Sequence, residues 1–359
     1  MSHKHQHQQQ PSPPPPQHCK VVFLCKKRIA YGSAYGLMNS AAFISDFLND
    51  KNISSDVVTV QDANAIDREV TLRNPAIVII EAIWVTPEKF QELLRIPRHQ
   101  NRLWIVRIHS RAAFIANEGI AMDWLNRYRK VKGLVIAPNT EEFTKDLKET
   151  FGLTTKFLPN IYYPKDGLPE KPVVVTKLPG EVHVGCFGAV RPMKNQLTQA
   201  IGAVKYADEM GLSLRFHINA ERQEQNGDQV LKNLRAYFEG EKELQKDHQL
   251  IEHRWLTHAE FIDLVKQMDV SMQVSFTETF NIVAADSVSQ GVPTVGSTQI
   301  EWLPDSFQVD NPNSSMEIAK KLAFALSWTG RNMSWVCKHY LEEHNHHAEK
   351  IWLKYCREE

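Results

Sequence analysis

Two successive series of strand-length apolar runs, each run followed by a stretch of helical periodicity, restrict this chain more than any other feature. In the first series the runs are residues 21–25, 57–60, 76–80, 103–108 and 134–137. Apart from Thr59 and Arg107 they are apolar throughout rather than alternating, which suits strands covered on both faces. Residues 37–48, with apolar positions three and four apart, have the stripe of a covering helix. The second series has runs at 182–187, 214–218, 249–251, 270–274 and 294–295. Predicted helices at 196–210, 228–238, 258–267, 281–289 and 315–326 separate them. Repeated β-α units joined by right-handed crossovers build doubly wound parallel sheets. The prediction is therefore an α/β protein with two facing Rossmann-like domains. Pro164, Pro169, Pro172 and Pro179 fall between the series and suit a linker. The expected boundaries are 20–175 and 176–330. A C-terminal helix follows within 331–359, read over 335–357, with the option of crossing back onto the first domain.

Residues 1–19, MSHKHQHQQQPSPPPPQHC, hold no pattern able to bury a core and read as a disordered tail. His3, His5 and His7 alternate there, but a solvated tail accounts for them. The remainder of the 359 residues, with 42% hydrophobic and 23% charged content overall, suffices for two cores. Lys plus Arg and Asp plus Glu both number 42, which argues against a basic nucleic-acid coat protein. The charge is uneven: residues 20–171 hold 22 basic against 17 acidic groups, and residues 176–359 hold 19 against 25. No run approaches the ~18 apolar residues of a membrane span, and the N-terminal residues carry no secretory h-region. Five scattered cysteines without a CxxC fit reduced thiols in a cytoplasm, with peripheral membrane contact as a further option.

The most informative stretch runs from Phe276 to Ser297, FTETFNIVAADSVSQGVPTVGS. A strand ends near Ser275, a short loop carries Glu278, and a helix opens near Asn281. Asp286 lies eight residues after Glu278, so both acids can face one cleft. Backbone N–H groups at Asn281, Ile282 and Val283 and the helix dipole favour a bound phosphate. Gly291-Val-Pro293 ends the helix. This stretch resembles the E-x7-E signature of the retaining group 1 glycosyltransferases, a GT-B-fold family that uses nucleotide sugars. Glu278, Phe280, Gly291, Val292 and Pro293 match it. Asp286 replaces the second Glu, and Thr279 and Asn281 replace two loop glycines. Further matches are the strand end Gly185-Cys-Phe-Gly188 followed by Arg191 and Lys194, and the segment Lys156-Phe-Leu-Pro-Asn160, with Ile161 where a glycine is usual.

The resemblance implies transfer of a hexose or pentose from a nucleotide-diphosphate sugar to an acceptor hydroxyl, with retention of anomeric configuration. It places the donor on the second domain and the acceptor on the first. Arg191 and Lys194 would clamp the diphosphate, whose charge grows as it leaves. Glu278 would contact the sugar and Asp286 the ribose, with Thr279, Phe280, Asn281 and Ile282 completing the donor loop. Trp255, with Arg254 and Leu256, would frame the base. Asn219 and Arg222 would edge the same cleft. Across it, His109 at the end of its strand would meet the sugar or position the acceptor, and Gly32, Ser33 and Gly36 would let backbone approach the diphosphate or acceptor. There is no Asp-x-Asp, so no metal is expected, nor any cofactor besides the nucleotide-sugar co-substrate. The basic clusters Arg95, Arg98, His99, Arg102 and Arg127, Arg129, Lys130, Lys132 suggest an anionic acceptor, at a membrane surface or on a modified nucleic acid. The replaced glycines motivate a second reading, a non-catalytic protein that binds a nucleotide sugar or glycan. Fold analogy alone suggests a third, a nucleotide-sugar epimerase. The cluster His344-Asn-His-His347 reads as a solvated helix end.

Overall fold

A computed structural model describes residues 19–28, 32–33, 35–165, 167 and 169–358. The expected tail, with His3, His5 and His7, lies outside the described residues except for Cys19. That residue is buried, and its N–H donates to the Arg73 carbonyl at 3.2 Å, so it belongs to the first body and not to a tail.

The first body contains β1 (Val21–Arg28), β2 (Gly32–Ser33), α1 (Tyr35–Asp50), β3 (Ser55–Val60), α2 (Ile66–Arg73) and β4 (Ile77–Glu81). It continues with α3 (Pro87–Arg95), β5 (Leu103–Ile108), α4 (Ala112–Ile115), α5 (Ala121–Tyr128), β6 (Leu134–Pro138) and α6 (Glu141–Phe151). Its main strands are parallel in the order β3-β1-β4-β5-β6, with β2 antiparallel to the end of β1. The central strand β4 and the edge strand β6 are both buried along their whole length, which explains their apolar runs.

The second body contains β7 (Glu181–Gly185), α7 (Gln196–Met210), β8 (Ser213–Asn219), α8 (Gly227–Glu243), β9 (Gln249–His253), α9 (His258–Val265) and β10 (Val270–Gln273). It ends with α10 (Ile282–Ser289), β11 (Thr294–Ser297), β12 (Gln308–Val309), α11 (Ser315–Leu326) and α12 (Trp328–Glu358). All its strands are parallel, in the order β12-β11-β10-β7-β8-β9. Strand order reverses between β7 and β10, the position at which doubly wound sheets open a crevice for ligand.

Helix α12 joins the two bodies. Cys337 and Leu341 pack in the core of the second, while Ala348, Trp352, Tyr355 and Cys356 pack in the core of the first. Trp352 is fully buried against Phe23, and its indole N–H donates to the Pro159 carbonyl at 2.8 Å. The helix begins seven residues before the expected Trp335. His344 is no solvated helix end: its Nε2–H donates to the Asn160 carbonyl at 3.1 Å, and Asn345 bonds both backbone groups of Tyr162.

Candidate functional site

A cavity of about 580 Å³ lies between the bodies. The strand ends and first helical turns of both sheets line it, because side chains at the carboxyl ends of parallel strands all reach the same edge. Of the expected residues, Gly36, His109, Arg191, Lys194, Asn219, Trp255, Glu278, Thr279, Asn281, Ile282 and Asp286 reach this cavity, as do Arg222 and Leu256.

The loop after β7 and the loop after β10 face each other across the strand-order reversal. Lys194 is mostly buried in a 3-10 turn, and its ammonium pairs with Glu278. Arg191 Nη1 donates to Glu224 Oε2 at 3.2 Å. Arg222 Nε and Nη2 donate to Glu224 Oε1 at 2.9 and 2.6 Å. One carboxylate thus holds two guanidinium groups side by side, each over an aromatic ring. Arg191 lies 4.8 Å from the Phe114 ring centroid, and Arg222 lies 4.9 Å from that of Trp255. Phe114 belongs to the first body, so the Arg191 contact spans the cleft.

Asn281 caps α10. Its φ of 61° is left-handed, a conformation asparagine tolerates better than most side chains. Its Oδ1 accepts from Ala284 N at 3.0 Å, and its Nδ2 donates to Gln273 Oε1 at 3.0 Å. The side chain therefore serves the helix, and the N–H groups of Ile282 and Val283 are the ones this terminus offers. Asn219 works similarly: its Oδ1 accepts from Gly188 N at 3.0 Å and shapes the glycine turn, where φ is 108°.

The structure gives several of the expected residues contacts beyond those their expected roles need. Phe280 does not line the cavity. It is buried against Trp302 and His344, and its carbonyl accepts from Trp302 Nε1 at 2.6 Å, so it anchors the loop from behind. Asp286 is buried with its Oδ1 accepting from Tyr162 Oη at 2.9 Å and lying 2.8 Å from His258 Nε2. It touches the cavity wall while tying the inter-body segment to α9 and α10. Gly32 and Ser33 form β2, with backbone paired to Arg28 and Lys27, and Gly36 lines the cavity. Arg254 pairs with Glu260 at 2.7 Å on the surface. The basic clusters lie away from the cavity lining. Arg98 pairs with Asp67, Arg102 with Asn74 and the Pro75 carbonyl, and Arg127 with Asp123 and Glu88. His99 is buried.

The first body adds groups that motif reading missed. Glu81, at the end of β4, is fully buried and bonds both Arg107 and His109 Nε2. Burial works against its charge, but Arg107 and His109 outweigh it and hold the carboxyl below its usual range. Burial, reinforced by Arg107 and opposed by Glu81, pushes His109 below the ordinary imidazole value. Thr279 bridges the bodies, accepting from Asn139 Nδ2 at 3.0 Å and donating to the His109 carbonyl at 3.5 Å. Arg111 clasps Glu142 of its own body and Glu301 of the other.

Among the described residues, Asp208, Glu241 and His248 form the cluster with metal-ligand spacing. Their chemistry does not suit a cation. His248 Nδ1 accepts from Leu214 N at 3.0 Å, so the neutral ring carries its proton on Nε2, the nitrogen facing Asp208. The Lys246 ammonium already bonds Asp208 at 2.7 Å and sits 3.1 Å from Glu241.

No protein-family model and no curated protein sequence matches this chain. Solved structures do. A UDP-forming α,α-trehalose-phosphate synthase from Burkholderia xenovorans, in complex with glucose-6-phosphate, aligns over 94% of this chain and 99% of its own, with 13% identity and a TM-score of 0.66. The E. coli trehalose-6-phosphate protein bound with UDP-2-fluoro glucose aligns over 94% and 98%, with 13% identity and a TM-score of 0.62. A glycosyltransferase from Rickettsia africae aligns over 95% and 98%, with 11% identity and a TM-score of 0.58. At such identities the likeness is one of fold, and the fold is GT-B: two facing Rossmann-like bodies. Among the described residues no helix is long and apolar enough to cross a membrane.

Proposed function

We propose that this chain is a glycosyltransferase that takes a sugar from a nucleotide-diphosphate donor and passes it to an acceptor hydroxyl with retention of configuration. One observation carries the reading. Arg191, Lys194, Glu278 and the N-terminus of α10 converge on one wall of a cavity whose opposite wall carries His109. Support comes from the neighbours, one UDP-forming and one bound with a UDP-sugar analogue.

In this reading the donor diphosphate lies against Arg191, Lys194 and the Ile282 and Val283 N–H groups. These stabilise its charge as the bond to the sugar breaks. Lys194 exchanges Glu278 for phosphate, which turns the Glu278 carboxylate toward the sugar hydroxyls. Trp255 and Leu256 flank the base. The acceptor enters from the side of Gly36 and His109, its hydroxyl attacking the face that the diphosphate leaves. The contacts of Thr279, Phe114 and Arg111 across the cleft exclude water from the reacting centre. The basic clusters of the first body lie outside the cavity lining, so in this reading they take no part in holding the acceptor.

The test is a panel of nucleotide sugars scored by thermal shift and by nucleotide-diphosphate release, with Glu278→Ala and Arg191→Ala alongside. One sugar nucleotide is expected to stabilise the protein. Release is expected to fall by about 10²–10³-fold when Arg191 is removed, the loss typical of one charge-stabilising group. Stabilisation without release, even with acceptor extracts, would favour the binding-protein reading. An altered, unattached sugar would favour an epimerase.

A further inference from the structure

We propose that Glu81, held by Arg107, is a positioning residue that fixes the tautomer of His109, so that the imidazole presents a lone pair rather than an N–H to the cavity. The proposal rests on the functional reading above in taking the cavity as a sugar site, but its geometry stands apart from that reading.

Glu81 and Arg107 are both fully buried at the ends of adjacent parallel strands, β4 and β5, where the register pairs them directly. A buried ion pair is a poor source of stability, because desolvation offsets its attraction. This one is nevertheless elaborately satisfied. Arg107 Nε donates to the Leu158 carbonyl at 3.1 Å. Its Nη2 donates to the Pro159 carbonyl at 3.0 Å and to Asn160 Oδ1 at 2.6 Å. Its Nη1 reaches Ser40 Oγ at 3.1 Å and Glu81 Oε1 and Oε2 at 3.3 and 3.4 Å, and it lies 3.5 Å from His109 Nε2, at the limit of a hydrogen bond and farther than the carboxylate oxygen that meets the same nitrogen. The guanidinium therefore cannot swing, and it holds the carboxylate in turn. The second carboxylate oxygen meets His109 Nε2.

A carboxylate kept ionised by Arg107 only accepts hydrogen bonds, so Nε2 must carry the ring proton. A neutral imidazole has one such proton, which leaves Nδ1 unprotonated. Nδ1 has no hydrogen-bond partner among the described residues, and His109 lines the cavity. What docks there must donate: a hydroxyl suits it, and a phosphate oxygen does not. Ala82 strengthens the case. It follows Glu81 with φ of 71°, lines the cavity, and donates its N–H to the Arg107 carbonyl at 2.8 Å. The left-handed region is unfavourable for alanine, and such strain gathers where geometry serves a ligand.

The test is long-range proton–nitrogen NMR on the full chain labelled in histidine, without ligand, using His109→Gln to assign the ring signals. At pH 7 the expected pattern is a neutral ring in the single Nε2–H form. An Nδ1–H form, or a doubly protonated ring, would overturn the proposal. Glu81→Gln keeps the shape but can donate as well as accept, so the single-tautomer pattern is expected to break down while the other histidine signals stay in place. An unchanged tautomer in a folded Glu81→Gln protein would also overturn it. If that variant does not fold, the wild-type pattern decides. No donor is needed. A correct tautomer with no donor turnover would sink the transferase reading alone, and a wrong tautomer with turnover would sink this proposal alone.

Discussion

Asn281 shows how a departure from a motif becomes intelligible only in three dimensions. The position takes φ of 61°, where glycine is the natural occupant. Asparagine is tolerated there, and it recovers the cost by capping α10 and bonding Gln273. Thr279, the other replaced glycine, uses its hydroxyl for a bond between the bodies. From sequence both read as losses, because a one-dimensional pattern shows neither backbone dihedrals nor a partner 140 residues away. The strain predicts an order of stability. Asn281→Gly keeps the conformation and loses the cap. Asn281→Ala loses the cap and forces a methyl group into the left-handed region. Chemical denaturation is expected to show Asn281→Ala as the weaker variant, by about 1–2 kcal/mol relative to Asn281→Gly. Equal stability would mean the side-chain bonds carry the whole effect.

The elements themselves were largely legible. The expected helices 196–210 and 315–326 coincide with α7 and α11, and the strand 103–108 with β5, since burial on both faces leaves a mostly apolar run. What escaped was charge hidden inside such runs. Arg107 interrupts Leu-Trp-Ile-Val-Arg-Ile, and Glu81 closes Ile-Val-Ile-Ile-Glu; both were visible signals that no motif claimed. The start of α12 escaped: the expected helix began at Trp335, and the structure carries it back to Trp328, through Gly330, a residue that weakens a helix interior. In the fold this glycine lets the helix pass the end of α11, where a side chain would run into the Phe324 carbonyl. The same helix makes a prediction about pH. Burial pushes His344 down to about 4, against the bond to Asn160, which favours its charge. Between its ordinary value of 6.5 and about 4, the unfolded chain binds a proton that the folded chain refuses. Stability must therefore fall as pH drops through that window, and it is fully retained above it. Burial also depresses His99, His217 and His253 below the ordinary value. Urea midpoints measured from pH 7 to 4 should decline, and His344→Gln should flatten part of that decline. Parallel curves for the two proteins would mean His344 stays protonatable in the fold.

At the scale of the whole molecule, the two sides of the cleft are built differently. The hinge side is apolar and dense: Phe43 of α1 joins the core of the second body, Tyr162 packs on it, and α12 enters both cores. The mouth is polar and sparse, resting on Phe114 with Arg191 and on Arg111 with Glu142 and Glu301. Glu142 and Glu301 are more than half exposed, and ion pairs to exposed partners contribute little and weaken with salt. Apolar packing resists separation while scattered polar contacts yield, so motion should open the mouth about the hinge side. Arg111→Ala removes a side chain that grips a carboxylate on each body. Small-angle X-ray scattering of the ligand-free variant should give a larger radius of gyration than the wild type. High salt should move the wild type toward the variant, and a bound donor should draw both back to the same compact value, since ligand contacts then hold the mouth shut. An unchanged radius in Arg111→Ala would show that the apolar hinge alone sets the closed arrangement, and that the clasp follows closure rather than maintaining it.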